Sequence, residues 1–311
     1  MIVLLGGGIG AAKLIEGFYK ILPPEELFVV MNTGDDQYFY NLRVCPDIDI
    51  LFYTLAGMVD RAKKWGRAND SFACLSSLKQ FYGGNQTWFN LGDKDFATHI
   101  YRTDLLSQGY RLTEVCQLLA EKFGLKGTFV PMSDDFVPTL MHTETETFTF
   151  QEWFVQHLTA PVVKKITYDN AEKARPSPGI LKALKEAQKI VICPSNPYVS
   201  IFPMLAIPGI KSAIKDRKKD VVAVSPLIGG RAVKGPLAKM LEWFDLPRES
   251  FSIAQLYQDL LGTFVIDTQD QKELPKFKAN GFAVENAPIL LNNMKKKCAL
   301  AEFVLNLPQK A

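Results

Sequence analysis

Histidine is scarce in this chain: His99, His142 and His157 are its three copies. A zinc centre built on several histidines is therefore disfavoured. No Gly-x-Ser-x-Gly elbow is present either, which argues against hydrolysis by an activated serine. The five cysteines, Cys45, Cys74, Cys116, Cys193 and Cys298, are odd in number and widely spaced. None is close enough to another in sequence for a metal knuckle or a redox pair, and the set reads as the reduced thiols of a cytoplasmic protein. Long apolar runs are missing too, since no window approaches the ~18 residues of a membrane helix. The opening "MIVLLGGGIG" has no basic n-region and runs into glycines rather than a cleavage site. Basic stripes are also lacking: the net charge is +3, and "KDRKKD" (215–220) and "NMKKKC" (293–298) read as solvated helix ends. Neither nucleic acid nor a membrane surface is expected as a partner.

What remains is an ordinary globular composition, 47% hydrophobic and 22% charged, in a chain long enough for one large domain. Its opening reads strand, glycine loop, helix, strand. "MIVLL" has strand length, and Leu14, Ile15, Phe18, Ile21 and Leu22 form one helical stripe. "PPEE" breaks that helix and "LFVVM" begins the second strand. Buried-strand runs recur at 127–132, 189–195, 220–226 and 263–267, with amphipathic helices at 112–124 and 178–188. Alternation of this kind predicts a Rossmann-like three-layer α/β/α fold with a mostly parallel sheet. The whole of 1–311 is expected to form a single domain, with 52–125 a largely helical insertion or lid.

Ligands of such sheets gather beyond the carboxyl ends of the strands, and three motifs stand at those ends. "GGGIGA", Gly6 to Ala11, fits the loose form G-x-G-x-x-G/A between a strand and a helix. Glycines there let a diphosphate approach backbone amides at a helix N-terminus, although a tight turn needs glycine as well. It is not a P-loop, because Lys13 follows Ala12 and no Ser or Thr follows it. "NTGDDQYFYNLRVCPDID" then places Asp35, Asp36, Asp47 and Asp49 within fifteen positions. A dinucleotide ribose needs only one acid. Four carboxylates beside a phosphate loop fit magnesium better, which takes one or two of them together with substrate phosphates and waters. Helix capping is an alternative for Asp47. Finally, "CPSNPYVSIFPML" (193–205) and "VSPLIGGRAVKGP" (224–236) offer Ser195, Asn196, Ser225, Arg231 and Lys234 in proline-fixed turns. In "WFNLGDKDFATHIYRTDLL" (88–106), Asp95, His99 and Arg102 share a helical face, either as an ion-pair face or as a substrate-facing stripe.

Taken in order, "LLGGGIGAAKL", "NTGDD", "VCPDIDILFYTLAG", "KWGRANDSF", "LGDKDFATHIYRT", "PMSDD", "FQEWFV", "PSNPYVSI" and "VAVSPLIGG" closely resemble the 2-phospho-L-lactate transferase family of coenzyme F-420 biosynthesis. The resemblance implies transfer of phospholactate or phosphoenolpyruvate from a guanosine diphosphate ester to the ribityl hydroxyl of the deazaflavin Fo, with GMP leaving. Fo is 7,8-didemethyl-8-hydroxy-5-deazariboflavin. It also implies magnesium as cofactor, bound by Asp35 and Asp49, with Asp49 at the acceptor as well. Asn90 would line the deazaflavin site, while Gly7, Gly8, Ser195 and Asn196 would hold the guanosine diphosphate part. A homodimer is implied too. The chain departs from the family where "GGTGTAKL" is common, since Gly8 and Ile9–Gly10 carry no hydroxyls, and at Asn90, often basic in archaeal members. Tyr38, Trp65 and Trp88 are candidates to stack on a flat deazaflavin, or else belong to the core of the lid. A nicotinamide dehydrogenase leaves the paired acids idle. A non-catalytic nucleotide-binding regulator related to the gluconeogenesis-factor family is the other alternative.

Overall fold

In the computed structural model, residues 1–60, 62–63, 65–232 and 235–308 are described. Seven strands form the central sheet: β1 (Ile2–Gly6), β2 (Leu27–Met31), β3 (Thr128–Pro131), β4 (Lys189–Ile192), β5 (Val221–Val224), β6 (Thr263–Asp267) and β7 (Val284–Ala287). Every pairing in it is parallel, and the order is β7-β6-β5-β4-β1-β2-β3. The order reverses between β1 and β4, so the segments that follow these two strands pack on opposite faces of the sheet and a crevice forms at its carboxyl edge.

Strand periodicity builds the layers. Ile2 and Leu4 of β1 face one core cluster while Val3 and Leu5 face the other, because successive side chains alternate across a sheet. Each such leucine, fully buried, contributes on the order of 1.5–3 kcal/mol by leaving water. One face is covered by α1 (Gly8–Ile21), α2 (Pro46–Leu55), α5 (Leu112–Lys122) and the C-terminal helix Met294–Asn306. Helices Ile180–Glu186, Ile210–Asp216, Leu237–Trp243 and Ser250–Leu256 cover the other. The predicted three-layer α/β/α class is therefore observed. No single helix among the described residues is long and apolar enough to cross a membrane.

Between α2 and β3 the chain is helical, with α3 (Ala73–Tyr82) and α4 (Asp93–Ser107) ahead of α5. These helices differ in what they pack on. Leu112, Val115, Cys116 and Leu119 of α5 lie in the main core. Leu75 of α3 and Phe96 of α4 join Phe39, Val44 and Leu91 in a small separate core, completed by the hairpin Gln37–Phe39/Leu42–Val44. A second antiparallel unit, Thr147–Thr149, Thr139–His142 and Lys165–Tyr168, adjoins the opposite layer through Met141 and Phe148.

Candidate active site

The crevice at the switch point is a cavity of about 600 Å³, within the range of small-molecule sites. Gly7 and, from the start of α1, Gly8, Gly10 and Lys13 line it, as do Pro194, Ser195 and Asn196 from the turn after β4. The two loops touch. Ser195 Oγ donates to the Gly7 carbonyl at 2.9 Å and accepts from the Gly7 amide at 3.2 Å. A Cβ on Gly10 would stand 2.2 Å from the Pro194 carbonyl oxygen, so this close approach requires glycine. Ser195 thus fastens the phosphate loop. The Asn196 side chain caps the turn it begins, accepting from the Tyr198 amide at 3.0 Å. Ser225 and Pro226 also line the cavity, whereas Arg231 is an exposed residue of a two-stranded ribbon and Lys234 lies outside the described residues.

The four aspartates divide. Asp35 lines the cavity. Its Oδ2 accepts from Gln151 Nε2 at 3.2 Å, while its Oδ1 is buried and has no hydrogen-bond partner. Burial, and then the neighbouring charges of Asp47 and Asp36, pushes its carboxyl well above the ordinary range. Asp47 lines the cavity as well. Its oxygens accept from the Gly8 amide at 2.6 Å and from Asn32 Nδ2 at 2.8 Å, and burial raises it to about 6. It sits in the first turn of α2, after Pro46, and Cys45 is the N-cap. The hydrogen bonds of Asp47 therefore run to the glycine loop and to Asn32 rather than to its own helix end.

Asp36 and Asp49 point the other way. Asp36 Oδ2 takes two bonds from Arg43, at 3.1 and 2.8 Å, and Arg43 lies over the Phe136 ring at 4.5 Å. Asp49 is held by Arg102, whose Nη1 donates to Oδ2 at 3.2 Å and whose Nη2 donates to Oδ1. Arg102 is fully buried and also bonds the Arg43 carbonyl at 3.1 Å, joining both pairs into one network. Its Nη1 also lies 3.2 Å from His99 Nδ1, and any share of its hydrogens taken by the ring requires Nδ1 to accept, because arginine has no acceptor. Burial lowers His99 to about 4, against the pull of Asp49, so the ring is neutral near pH 7. The 3.6 Å approach of Nδ1 to Asp49 is then two acceptors sharing one guanidinium, not an ion pair. Of the two expected metal carboxylates, only Asp35 lines the cavity, and its Oδ1 has no protein partner; both oxygens of Asp49 are held by Arg102. Asp95, His99 and Arg102 of α4 are all buried, which resolves that face as internal.

Aromatic residues supply much of the remaining lining. Phe89, Asn90 and Trp65 line the cavity. Trp88 packs against Phe39 and Phe89 in the small core, and Tyr38 is half-exposed with its ring against Phe136. Phe150, Gln151 and Phe154 also line the cavity, and Phe150 and Phe154 stack with centroids 5.3 Å apart. Sequence reasoning assigned no role to these three or to Asn32, although "FQEWFV" and "NTGDD" contain them. A polar residue between aromatics was the available signal.

Among the described residues no cluster of three or more His, Cys, Asp or Glu that could hold a metal occurs. A magnesium ion fits this cavity nonetheless. It needs one or two carboxylates beside phosphates and waters, and the Asp35 oxygen without a protein partner is an acceptor that a cation could take, as could a water or a ligand's donor.

Comparison with known proteins agrees with this architecture. The family description "2-phospho-L-lactate transferase CofD" matches residues 2–298. A phosphoenolpyruvate transferase of Kitasatospora aureofaciens is 37% identical, covering 99% of this chain and 98% of the relative. A 2-phospho-L-lactate transferase of Methanosarcina mazei is 36% identical, covering 97% and 99%. A crystal structure from Bacillus halodurans, of a member of the upf0052 family, superposes with a TM-score of 0.64 at 16% identity and 98% coverage of both chains, a likeness of fold. The chain belongs to the 2-phospho-L-lactate transferase CofD family and is a transferase.

Proposed function

We propose that the protein transfers a three-carbon phospho-acid, phospholactate or phosphoenolpyruvate, from its guanosine diphosphate ester to the ribityl hydroxyl of Fo, releasing GMP, in coenzyme F-420 biosynthesis. The observation that carries this reading is one cavity lined by two unlike sets of residues. A glycine loop at a helix N-terminus lines it together with phenylalanines and Trp65, and Asp35, whose Oδ1 has no protein partner, lines it as well. The first set suits a diphosphate. The second suits a flat heteroaromatic ring, which stacks on aromatic side chains.

In this reading the acceptor hydroxyl oxygen attacks the phosphorus bearing the acid, the bond to the GMP oxygen breaks, and the hydroxyl proton departs. Such transfers depend on positioning and charge neutralisation more than on covalent catalysis. Amides of the glycine loop orient the diphosphate, and Ser195 holds that loop against the β4 turn. Asp35 would hold the magnesium, with Gln151 fixing its second oxygen. Magnesium, when bound, supplies positive charge to the diphosphate and acidifies a bound hydroxyl. Asp49 acts one layer back, as a positioning residue that secures α2 through Arg102. Phe89, Asn90, Phe150 and Phe154 seat the deazaflavin.

The test is an isothermal titration with Fo and with GDP, each with and without magnesium, followed by turnover with lactyl and enolpyruvyl donors. Fo binding strengthened by GDP and magnesium, and formation of an Fo phosphodiester, is the expected result. GDP binding with no Fo binding would favour the non-catalytic nucleotide-binding regulator instead.

A further inference from the structure

The hydrogen bond between Asp47 and Gly8 is an unusual feature for a phosphate loop. Gly8 is the first residue of α1, a helix of 14 residues, so its amide is one of the donors an incoming anion would use. That amide is engaged by Asp47 Oδ1 at 2.6 Å. The carboxylate is also rigidly aimed. Asn32 Nδ2 donates to Asp47 Oδ2 at 2.8 Å and to the Val199 carbonyl at 3.0 Å, while Asn32 Oδ1 accepts from the Gly34 amide at 3.0 Å. The loop is packed onto it: a Cβ on Gly7 would fall 2.0 Å from Asp47 Oδ2. A second, independent feature points to a ligand here. Asp35 lines the same cavity, and its side chain, more than nine-tenths buried, leaves Oδ1 without a partner.

We propose that Asp47 is an anion gate on the glycine loop: its carboxylate occupies the Gly8 amide, and a diphosphate oxygen takes that amide only when a cation beside Asp35 offsets or draws away the Asp47 charge. The inference rests on the reading that the loop receives a diphosphate. An amide has one proton, so carboxylate and phosphate compete for it. Both are anions, so close to one donor they repel. A divalent cation attracts both and removes the conflict. Metal and donor binding are thereby linked by thermodynamic necessity, and the protein discriminates against a diphosphate that arrives without metal. The linkage resides in a residue that needs no contact with either substrate's organic part.

The experiment compares the wild-type protein with Asp47→Asn, which keeps an oxygen for the Gly8 amide but removes the charge. Inorganic pyrophosphate and GDP are titrated into each, with and without magnesium. Without metal, the variant is expected to bind pyrophosphate at least ~10-fold tighter than wild type, and the gain from magnesium is expected to shrink by a similar factor. A folded variant with unchanged or weaker metal-free binding would overturn the gate and leave Asp47 a structural clasp, as would pyrophosphate binding to neither protein. Tighter pyrophosphate binding with no GDP binding would sustain the gate and sink the nucleotide reading alone. Should the variant not fold, the Gly8 amide resonance of 15N-labelled wild-type protein decides. It is expected to shift as magnesium and pyrophosphate are added, and a resonance that stays put while pyrophosphate binds would refute the exchange.

Discussion

The cavity wall and the layer immediately behind it handle the same chemical group in opposite ways. On the cavity side, the hydrogen bonds to Asp35 and Asp47 come from Gln151, Asn32 and the Gly8 amide, all neutral. Behind it, Asp36 and Asp49 are each clamped by a buried arginine, Arg43 and Arg102. A buried carboxylate without a cation beside it is costly, so positive charge brought in by a ligand would stabilise the ionised form of the first pair. The second pair carries its own countercharge and ties the hairpin, α2 and α4 into one frame. The lesson is that an acidic cluster divides by its partners: carboxylates paired with a buried arginine are scaffold, although Asp36 Oδ1 is itself unpartnered, and those left on neutral donors are where a ligand is expected.

Breaking the scaffold half is expected to have the largest effect. Arg102→Met leaves Asp49 buried and unpaired, and a loss of about 3–5 kcal/mol of stability should follow, read as a lower urea midpoint. The double variant Arg102→Met/Asp49→Leu should recover more than half of that loss. If the single variant is as stable as the parent, the proposed division between scaffold and site collapses. On the cavity side the expectation inverts. Asp35→Asn keeps an oxygen for Gln151 but removes the charge, so turnover should fall ~10²–10³-fold while the melting temperature holds or rises. A stability loss matching that of Arg102→Met would count against Asp35 as a ligand-facing acid.

The smallest effect concerns Asp95, which belongs to neither pair. Its Oδ1 is buried without a partner, and burial, then the charge of Asp49, lifts its carboxyl to about 6. A carboxyl raised in the native state favours the protonated, folded form. Its contribution is therefore full below the ordinary value near 3.8 and is lost as pH climbs through about 6. Asp95→Asn should thus stabilise the protein by about 1–3 kcal/mol at pH 8 and by almost nothing at pH 4. Urea midpoints of both proteins at the two pH values test this; an equal difference at both would remove burial of the charge as the cause.

Much of the frame was legible because buried parallel strands are continuous apolar runs with glycine or proline at their ends. "MIVLL", "LFVVM", "KIVIC" and "TFVID" mark β1, β2, β4 and β6 directly. β7 was not read: three of the four residues in "VENA" are only partly buried, so it lacks the apolar signature. The antiparallel unit at 139–168 was missed because its three- and four-residue strands are too short for alternation to register. Within 52–125 the helices divide between the main core and the small one, a split that sequence does not give, since an amphipathic stripe does not say which core it faces.

Composition and motif order by themselves determined the α/β class, the glycine loop at the sheet's carboxyl edge, the kinship with a transferase family and the crowding of four aspartates near the site. These depend on local pattern, which a chain displays without folding. Only the tertiary structure decided which aspartates face the cavity, because Arg102 reaches Asp49 across 53 positions, Gln151 reaches Asp35 across 116 and Ser195 reaches Gly7 across 188. The charge a carboxylate can carry depends on the partners and the water around it, and those are assigned by packing.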